Sequence, residues 1–239
     1  MKLLYYIFIL KVWILSLLPL RILYIFSDLL YFILYYIVKY RRKVVRTNLL
    51  NSFPNKSLSE IKELEKKFYK NLADIIIEVL KLKHLKEKEL RQRFIYVNAE
   101  VMIPYFKAGK TIIAIPGHLG NWEWAATVSP LYFDYKVNMV YKPLTDENFE
   151  KYLLALRSKY ALSFIAFKQT YRYLLKHKAE PSLNILASDQ TPTKTEIEYW
   201  TYFMNQNTGF FKGAERIAKS LDCVVVFVDV KRIRRGYYE

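Results

Sequence analysis

The chain has 239 residues, 53% of them hydrophobic and 17% aromatic, and it carries a net charge of +16. This length accommodates one substantial domain with an appendage, and the composition indicates membrane contact. The positive charge favours anionic partners such as phospholipid headgroups, a phosphorylated glycolipid, an acidic carrier protein or nucleic acid. Cys223 is the only cysteine, which excludes an internal disulfide and is compatible with a location facing the cytoplasm.

Residues 3–38 form an almost continuous apolar and aromatic segment, whose only charged residues are Lys11, Arg21 and Asp28. Pro19 divides it into Leu3 to Leu20, long enough to span a bilayer if the lysine reaches the interface, and Ile22 to Val38. We expect a spanning or deeply inserted helix followed by an interfacial helix. The alternative is a helical hairpin buried in a soluble protein. A removable signal peptide is disfavoured because no small-residue cleavage site follows.

A cluster of basic residues follows the apolar segment and consists of Lys39, Arg41, Arg42, Lys43 and Arg46. Such a cluster beside an apolar segment marks the cytoplasmic side of a membrane. We therefore predict that residues 1–46 form a membrane anchor of helices with a basic flank. Residues 47–239 are predicted to form a globular domain on the cytoplasmic side, entered through a connector at residues 48–54.

A long amphipathic helix is predicted to begin at Ser57, where Ser-x-x-Glu resembles a capping box. Apolar residues recur at helical spacing from there to about Leu82, with a possible break near Asn71. Residues 81–93 are dense in Lys, Arg and Glu and indicate a solvated face, or a surface that docks an acidic partner. His84 lies in this run and is expected at the surface.

Strand and helix patterns alternate in the rest of the chain. The predicted strands are Phe94–Val97, Thr111–Ile115, Lys136–Tyr141, Ser163–Phe167, Asn184–Ala187 and Cys223–Val230. The predicted helices are Ala99–Lys107, Trp122–Pro130, Asp146–Tyr160, Thr170–His177 and Gly213–Ser220. This alternation predicts an α/β domain around a mixed, largely parallel sheet flanked by helices. Tyr237 and Tyr238 resemble the start of a further paired strand, so we expect the sequence to be truncated at its C-terminus.

His118 is the histidine placed most like a catalytic base, because it follows an apolar strand and the turn Pro116-Gly117. Glu123 comes five positions later. In one continuous helix the two side chains would lie roughly 140° apart and would not meet. If a helix instead begins near Asn121, a good cap residue, the loop can fold the imidazole back toward the carboxylate. The alternative is a polar turn whose His and Glu are both solvated.

Three further polar side chains follow predicted strands, where open α/β sheets collect ligand groups. Asp189 and Gln190 come after Asn184–Ala187, although a local hydrogen bond in a turn explains them equally well. Lys142 follows Lys136–Tyr141 and is placed to contact a phosphate.

Three cations are candidates for holding an anionic substrate. Arg157 lies late in a predicted helix, where a cation suits the helix dipole without any further role. Lys212 and Arg216 flank the start of another helix at Gly213, whose missing side chain allows close approach of a substrate. An ordinary helix start with surface charges is an equally good explanation.

The segment His118-Leu-Gly-Asn-Trp-Glu123 has the His-x4-acid pattern of glycerolipid-type acyltransferases. The wider chain resembles the lipid A biosynthesis acyltransferases, the lauroyl and myristoyl transferases of the bacterial lysophospholipid-type superfamily. Further matching segments are Tyr40–Leu49, Ser52–Pro54, Tyr141–Pro143 with Arg157, Ser188–Gln190, Phe210–Gly213 and Arg232–Glu239. The resemblance covers nearly the whole chain and implies a glycerolipid acyltransferase-like fold with an N-terminal membrane-anchoring helical segment.

The resemblance implies transfer of a fatty acyl group from acyl carrier protein to a hydroxyl of a lipid A precursor, at the cytoplasmic face of the bacterial inner membrane. A thioester is already activated, so His118 would act as general base for the incoming hydroxyl, with Glu123 holding its tautomer. Backbone N–H groups after Gly120, and less strongly Arg157, would stabilise the oxyanion. The residues expected to contact substrate are Asn121, Lys142, Arg157, Asp189, Gln190, Lys212 and Arg216. The acyl-carrier thioester is a co-substrate, and no metal or cofactor is required.

Other functions remain open at this point. The same pair of residues would serve acyl transfer to a different glycolipid or to an aminolipid. A protein that binds anionic membranes without catalysis is a further alternative. Nucleic acid is not expected as a partner, because the basic residues are spread out and no recognised module is present.

Overall fold

The computed structural model describes residues 2–239, including the side chains of residue 5 and residues 9–239. Contacts between Cα atoms divide it into two units. The first contains Met1–Leu85 and Trp200–Thr208, and the second contains Lys86–Tyr199 and Gly209–Glu239. The boundary predicted between residues 46 and 47 concerns membrane contact and stays a prediction.

The first unit is helical. Its helices are α1 (Lys2–Leu17), α2 (Leu20–Phe32), α3 (Arg42–Ser52) and α4 (Leu58–Lys81). A π-helical turn, Ile33–Ile37, extends α2, and a 3₁₀ turn, Leu82–His84, follows α4. Pro19 separates α1 from α2, as predicted. The stretch Leu20–Ile37 is long and apolar enough to cross a membrane, and 22% of it is buried within the protein.

The structure corrects three local predictions in this unit. Residues 48–52, predicted as part of a connector, are the end of α3. Helix α4 runs through Asn71 without a break, starting from a complete capping box in which Ser57 and Glu60 bond each other's backbone N–H. His84 is half-buried rather than a surface residue, since its Nδ1 lies 2.7 Å from the hydroxyl of Ser16.

The rest of the chain contains nine described strands and six helices. All of them belong to the second unit except the parts of β5 and β6 that lie within Trp200–Thr208. The strands are β1 (Ile112–Pro116), β2 (Lys136–Tyr141), β3 (Ser163–Ala166), β4 (Ser182–Ile185), β5 (Tyr199–Phe203), β6 (Gln206–Phe210), β7 (Val224–Val228), β8 (Arg232–Arg234) and β9 (Tyr237–Tyr238). The helices are α5 (Glu87–Arg93), α6 (Ile103–Lys107), α7 (Trp122–Tyr132), α8 (Glu147–Arg157), α9 (Thr170–Lys176) and α10 (Gly213–Leu221).

Five of these strands form one parallel sheet in the order β3-β2-β4-β1-β7. Side chains alternate across its faces, so Ile112 packs with Ala126 of α7, whereas Ile113 packs with Ala218 of α10. Helices therefore cover both faces, as is usual for parallel strands buried on two sides. The predicted α/β class with a largely parallel sheet is confirmed.

Two parts of the strand prediction were wrong or incomplete. Phe94–Val97 is not a strand, because only Phe94 forms a bridge, to Tyr238. The antiparallel pair β5-β6 was not predicted, and in the pair β8-β9 only Tyr237 and Tyr238 were expected to form a strand, which they do. Both pairs are short, and β5 carries exposed aromatic side chains rather than the clean alternation that marks a half-buried strand.

Candidate active site

His118 meets Asp189 at the carboxyl edge of the parallel sheet. His118 follows β1 and Asp189 follows β4, and these two strands are hydrogen-bonded neighbours. The Nδ1 atom of the imidazole lies 2.6 Å from Oδ1 of Asp189, and the backbone N–H of His118 donates to Oδ2 at 2.6 Å. One carboxylate thus fixes both the ring and the backbone of His118.

These contacts define which imidazole nitrogen is available for chemistry. A carboxylate beside Nδ1 accepts a hydrogen bond from that nitrogen. The proton of the neutral imidazole is therefore on Nδ1, and the lone pair is on Nε2. The amide nitrogen of Gln190 lies 3.3 Å from Nε2 and donates to that lone pair. The edge of the Trp122 ring system packs against the imidazole, with 5.1 Å between ring centroids. The arrangement leaves Nε2 of His118 as the ring nitrogen that carries the lone pair.

Glu123 does not take the position beside His118 that we expected. Its carboxylate is bound by the guanidinium of Arg157, with Nε donating to Oε2 at 2.7 Å and Nη2 donating to Oε1. The side chains are 8% and 18% exposed, so the pair is largely removed from water. Glu123 lies in the first turn of α7 and reaches toward the end of α8, while the His118 loop folds over the end of β4. The carboxylate that orients the imidazole is therefore Asp189.

We expect Glu123→Ala to lower the free energy of unfolding by about 3 kcal/mol, because it leaves the Arg157 guanidinium buried without its partner. Glu123→Leu combined with Arg157→Met should recover most of that loss. Urea unfolding in detergent would measure both variants. Unchanged unfolding of Glu123→Ala together with lost activity would instead favour the catalytic role predicted from the sequence.

Asn121 and Gly120 shape the loop that carries His118. Asn121 is fully buried and its Oδ1 accepts the backbone N–H of Trp124 at 2.9 Å, so it caps α7 as the sequence predicted. This capping is the role that the structure supports for Asn121, and substrate contact by it stays a prediction. Gly120 has φ +52°, and an added Cβ would lie 2.7 Å from Cγ1 of Val230. The loop therefore needs glycine at this position.

Gly120→Ala is expected to lower the thermal unfolding midpoint and to reduce activity. Alanine pays about 1–2 kcal/mol for the left-handed backbone and must also displace Val230, which moves the His118 loop. Gly213→Ala is the matched control, since a Cβ there meets nothing within 4 Å and the position begins α10. Equal midpoints for the two variants would contradict this account.

A narrow apolar cavity of about 50 Å³ opens beside His118, between the sheet and α7. Its walls include Ala114, Ala126, Phe133 and Ile185. Half-buried Tyr96 also lines this cavity. Its hydroxyl donates to a backbone carbonyl, and desolvation of the phenol raises its pKa, so it stays neutral. His118 is thus a polar group at the side of an apolar slot.

The remaining predicted site residues lie in two places. Lys142 is exposed directly after β2, the strand that pairs with β4 on the side away from β1. Arg216 and the backbone N–H of Lys212 both bind the carboxylate of Glu198, at 2.5 Å and 2.8 Å. These contacts place Lys212 and Arg216 together at Glu198, and their binding of substrate stays a prediction.

Residues 1–239 match the sequence model of a family described as "Bacterial lipid A biosynthesis acyltransferase". The match extends over the whole chain and confirms the resemblance that the motifs indicated. No curated protein matches the chain.

Proposed function

Since the chain belongs to the bacterial lipid A biosynthesis acyltransferase family, and is an acyltransferase, we propose that it moves a fatty acyl chain from acyl carrier protein to a hydroxyl of a lipid A precursor. The observation that carries the proposal is His118, oriented by Asp189 and opening onto an apolar cavity. A base next to a slot for hydrocarbon is what acyl transfer from a thioester to an alcohol requires.

The proposed reaction needs no nucleophile from the protein, because the thioester is already activated. The acceptor hydroxyl displaces the amide of Gln190 from Nε2 of His118 and gives its proton to that nitrogen as its oxygen attacks the carbonyl carbon. The tetrahedral intermediate collapses, the carbon–sulfur bond breaks, and the imidazolium returns the proton to the leaving thiolate. The products are the ester and the free thiol of the carrier, with His118 neutral again.

Asp189 and the start of α7 assist this reaction in different ways. Asp189 holds the N–H at Nδ1 and stabilises the imidazolium, as the acid of a catalytic triad does. The first-turn N–H groups of α7 form the positive end of the helix and are placed to stabilise the oxyanion. Arg157, which binds Glu123, serves mainly to hold this helix start in position.

The acyl chain of the donor is proposed to enter the cavity beside His118. Its apolar lining favours hydrocarbon over water, and the opening at His118 would bring the thioester carbonyl to the base. The cavity is narrow, so an inserted chain must displace side chains such as Met139, a flexible residue that adapts readily. Water would then be excluded from the reacting thioester.

The two substrates are both anionic, and the charge of the protein suits them. Exposed Lys142, together with Lys212 and Arg216, is proposed to bind the phosphates of the glycolipid acceptor, and the overall charge of +16 attracts the acidic carrier. We propose that the enzyme works at the cytoplasmic face of the bacterial inner membrane, where both substrates are available.

The test is incubation of the purified enzyme with acyl carrier thioesters of several chain lengths and a lipid A precursor, followed by mass spectrometry. The expected product is the precursor plus one acyl group, with release of the free carrier thiol. Acylation of another glycolipid or an aminolipid, but not of the precursor, would show that the acceptor is that other lipid. Binding to anionic lipid without consumption of any thioester would overturn the proposal.

A further inference from the structure

The face of α2 that packs within the first unit combines buried leucines, Leu20 and Leu23, with hydrogen-bonding groups. The hydroxyl of Tyr24 donates to Glu78 of α4 at 2.8 Å, and Ser27 donates to Asp74 at 2.6 Å. Ser27, Asp74 and Glu78 are all buried. The contact between α2 and α4 therefore includes buried acids, and groups from α2 donate hydrogen bonds to them.

The opposite face of α2 is apolar and open. Its members are Ile22, Ile25, Phe26, Leu29 and Phe32 of α2 and Tyr36 of the π-helical turn that extends it, which are between 40% and 68% exposed. At about 100° per residue, the five residues of α2 form one stripe on the side roughly opposite Ser27. The charged residues of α2, Arg21 and Asp28, are exposed beside this stripe. A helix in water buries its apolar stripe, whereas this one is left open. The exposure indicates that the outer stripe, defined by these six residues, contacts an apolar medium.

The position of α4 shows how α2 can meet that medium. The pairs Tyr24–Glu78 and Ser27–Asp74, together with the Lys70 ammonium 5.5 Å from the Tyr31 ring, show that the two helices run antiparallel side by side. The first half of α4 exposes charges, namely Glu60, Lys62, Glu63, Lys67 and Lys70.

The other end of α4 leads into the second unit within a few residues, at Lys86. The exposed Lys67 and Lys70 lie on the part of α4 that runs beside the second half of α2, and charged groups are costly in hydrocarbon. Since α2 follows α4 along its length, α2 cannot cross a bilayer while this packing holds.

We propose that α2 lies in the plane of an anionic membrane surface, with the outer stripe in the acyl-chain layer and α4 supporting it from the aqueous side. Charge supports this choice of partner. Residues 1–85 contain fifteen Lys and Arg against six Asp and Glu, and the three acids Glu65, Asp74 and Glu78 are buried. The exposed surface of this unit is thus strongly basic, which suits anionic headgroups.

The proposal is tested by measuring the depth of single nitroxide labels in vesicles of phosphatidylethanolamine and phosphatidylglycerol. Cysteine is placed at Ile22, Ile25, Leu29 or Tyr36 of the full chain, in a Cys223→Ser background. An in-plane helix gives similar depths at all four positions, about 5–10 Å below the phosphates. A spanning helix gives depths that change by about 1.5 Å per residue, or about 20 Å from the first position to the last. That gradient, or labels accessible to water, would overturn the proposal.

A second measurement compares the vesicle-binding constants of two variants, each altered at one exposed leucine. Leu29→Lys, in the outer stripe, is expected to weaken partitioning into these vesicles about tenfold or more. Leu58→Lys is the matched control, because Leu58 is 77% exposed at the start of α4 and lies outside the stripe. Equal binding by the two variants would contradict the assignment. Neither experiment measures acyl transfer, so failure of this proposal can be distinguished from failure of the proposed function.

Discussion

Replacing His118 by alanine is expected to reduce acyl transfer about 10³-fold while the protein still folds. The variant removes the group that is proposed to take the proton of the acceptor hydroxyl at Nε2, and a positioned base contributes about 10²–10⁴-fold. The side chain is 31% exposed, so its loss leaves no large buried cavity. Transfer is measured as release of the carrier thiol under saturating thioester, and folding by the thermal unfolding midpoint.

The matched control for this variant is His177→Ala. His177 is half-buried at the end of α9 and contacts Glu180 at 3.4 Å, so it shares residue type and exposure but has no place in the proposed reaction. Its transfer rate should equal that of the unaltered enzyme. A His118→Ala enzyme with normal turnover would remove the base from the mechanism and leave the cavity without a catalytic group.

The location of the site could be predicted from sequence because it depends on local signals. An apolar run that ends in Pro-Gly before His118 identifies a strand followed by a turn, and Asn121 identifies the helix that follows. Likewise, the apolar run before Asp189 identifies a second strand end. These signals need no knowledge of distant packing, and the structure has β1, α7 and β4 where these signals indicated, within a few residues.

The pairing of the carboxylates could not be predicted, since it depends on strand order. Nothing in the sequence states that β4 lies next to β1, and this adjacency is what brings Asp189 to His118. Glu123 was the nearer acid along the chain and therefore the natural first choice. Its partner, Arg157, lies 34 positions away at the end of α8 and was assigned to the helix dipole, the substrate or the oxyanion rather than to Glu123.

The N-terminal segment shows a different limit of sequence reasoning. Its composition indicated membrane contact, but an apolar helix of this length is compatible with spanning, with lying in the interface or with burial. The distinction depends on which face of α2 is covered. The contacts of Tyr24 and Ser27 with α4 show which face is covered, and the exposed side chains of the outer stripe show which face is open.

The site thus contains two acids in different surroundings. Asp189 is 41% exposed and binds the imidazole that we propose changes charge during the reaction. Glu123 is 8% exposed and binds a guanidinium whose charge is permanent. A group that stabilises a transient imidazolium affects rate, whereas a buried pair of fixed charges affects the stability of the helix start. Substitution of Asp189 should therefore lower mainly turnover, and substitution of Glu123 should lower mainly the free energy of unfolding.

Asp189→Asn is expected to reduce acyl transfer about 10²-fold or more with little change in the unfolding midpoint. An amide that presents N–H₂ to Nδ1 favours the tautomer with the proton on Nε2, which is then no longer a base. NMR of the ¹⁵N-labelled imidazole measures the tautomer directly and should show that the proton has moved from Nδ1 to Nε2. Asp229→Asn is the matched control, because Asp229 is an exposed aspartate after β7, on the other side of β1.

The combination of rate and tautomer distinguishes positioning from a structural role. Loss of turnover with an unchanged tautomer would mean that Asp189 supports the loop only through the backbone N–H of His118. Unchanged turnover would return the orienting role to Glu123, which would require the Arg157 pair to open when substrate binds. Because breaking that buried pair costs several kcal/mol, the structure favours Asp189 as the group that prepares His118 for proton transfer.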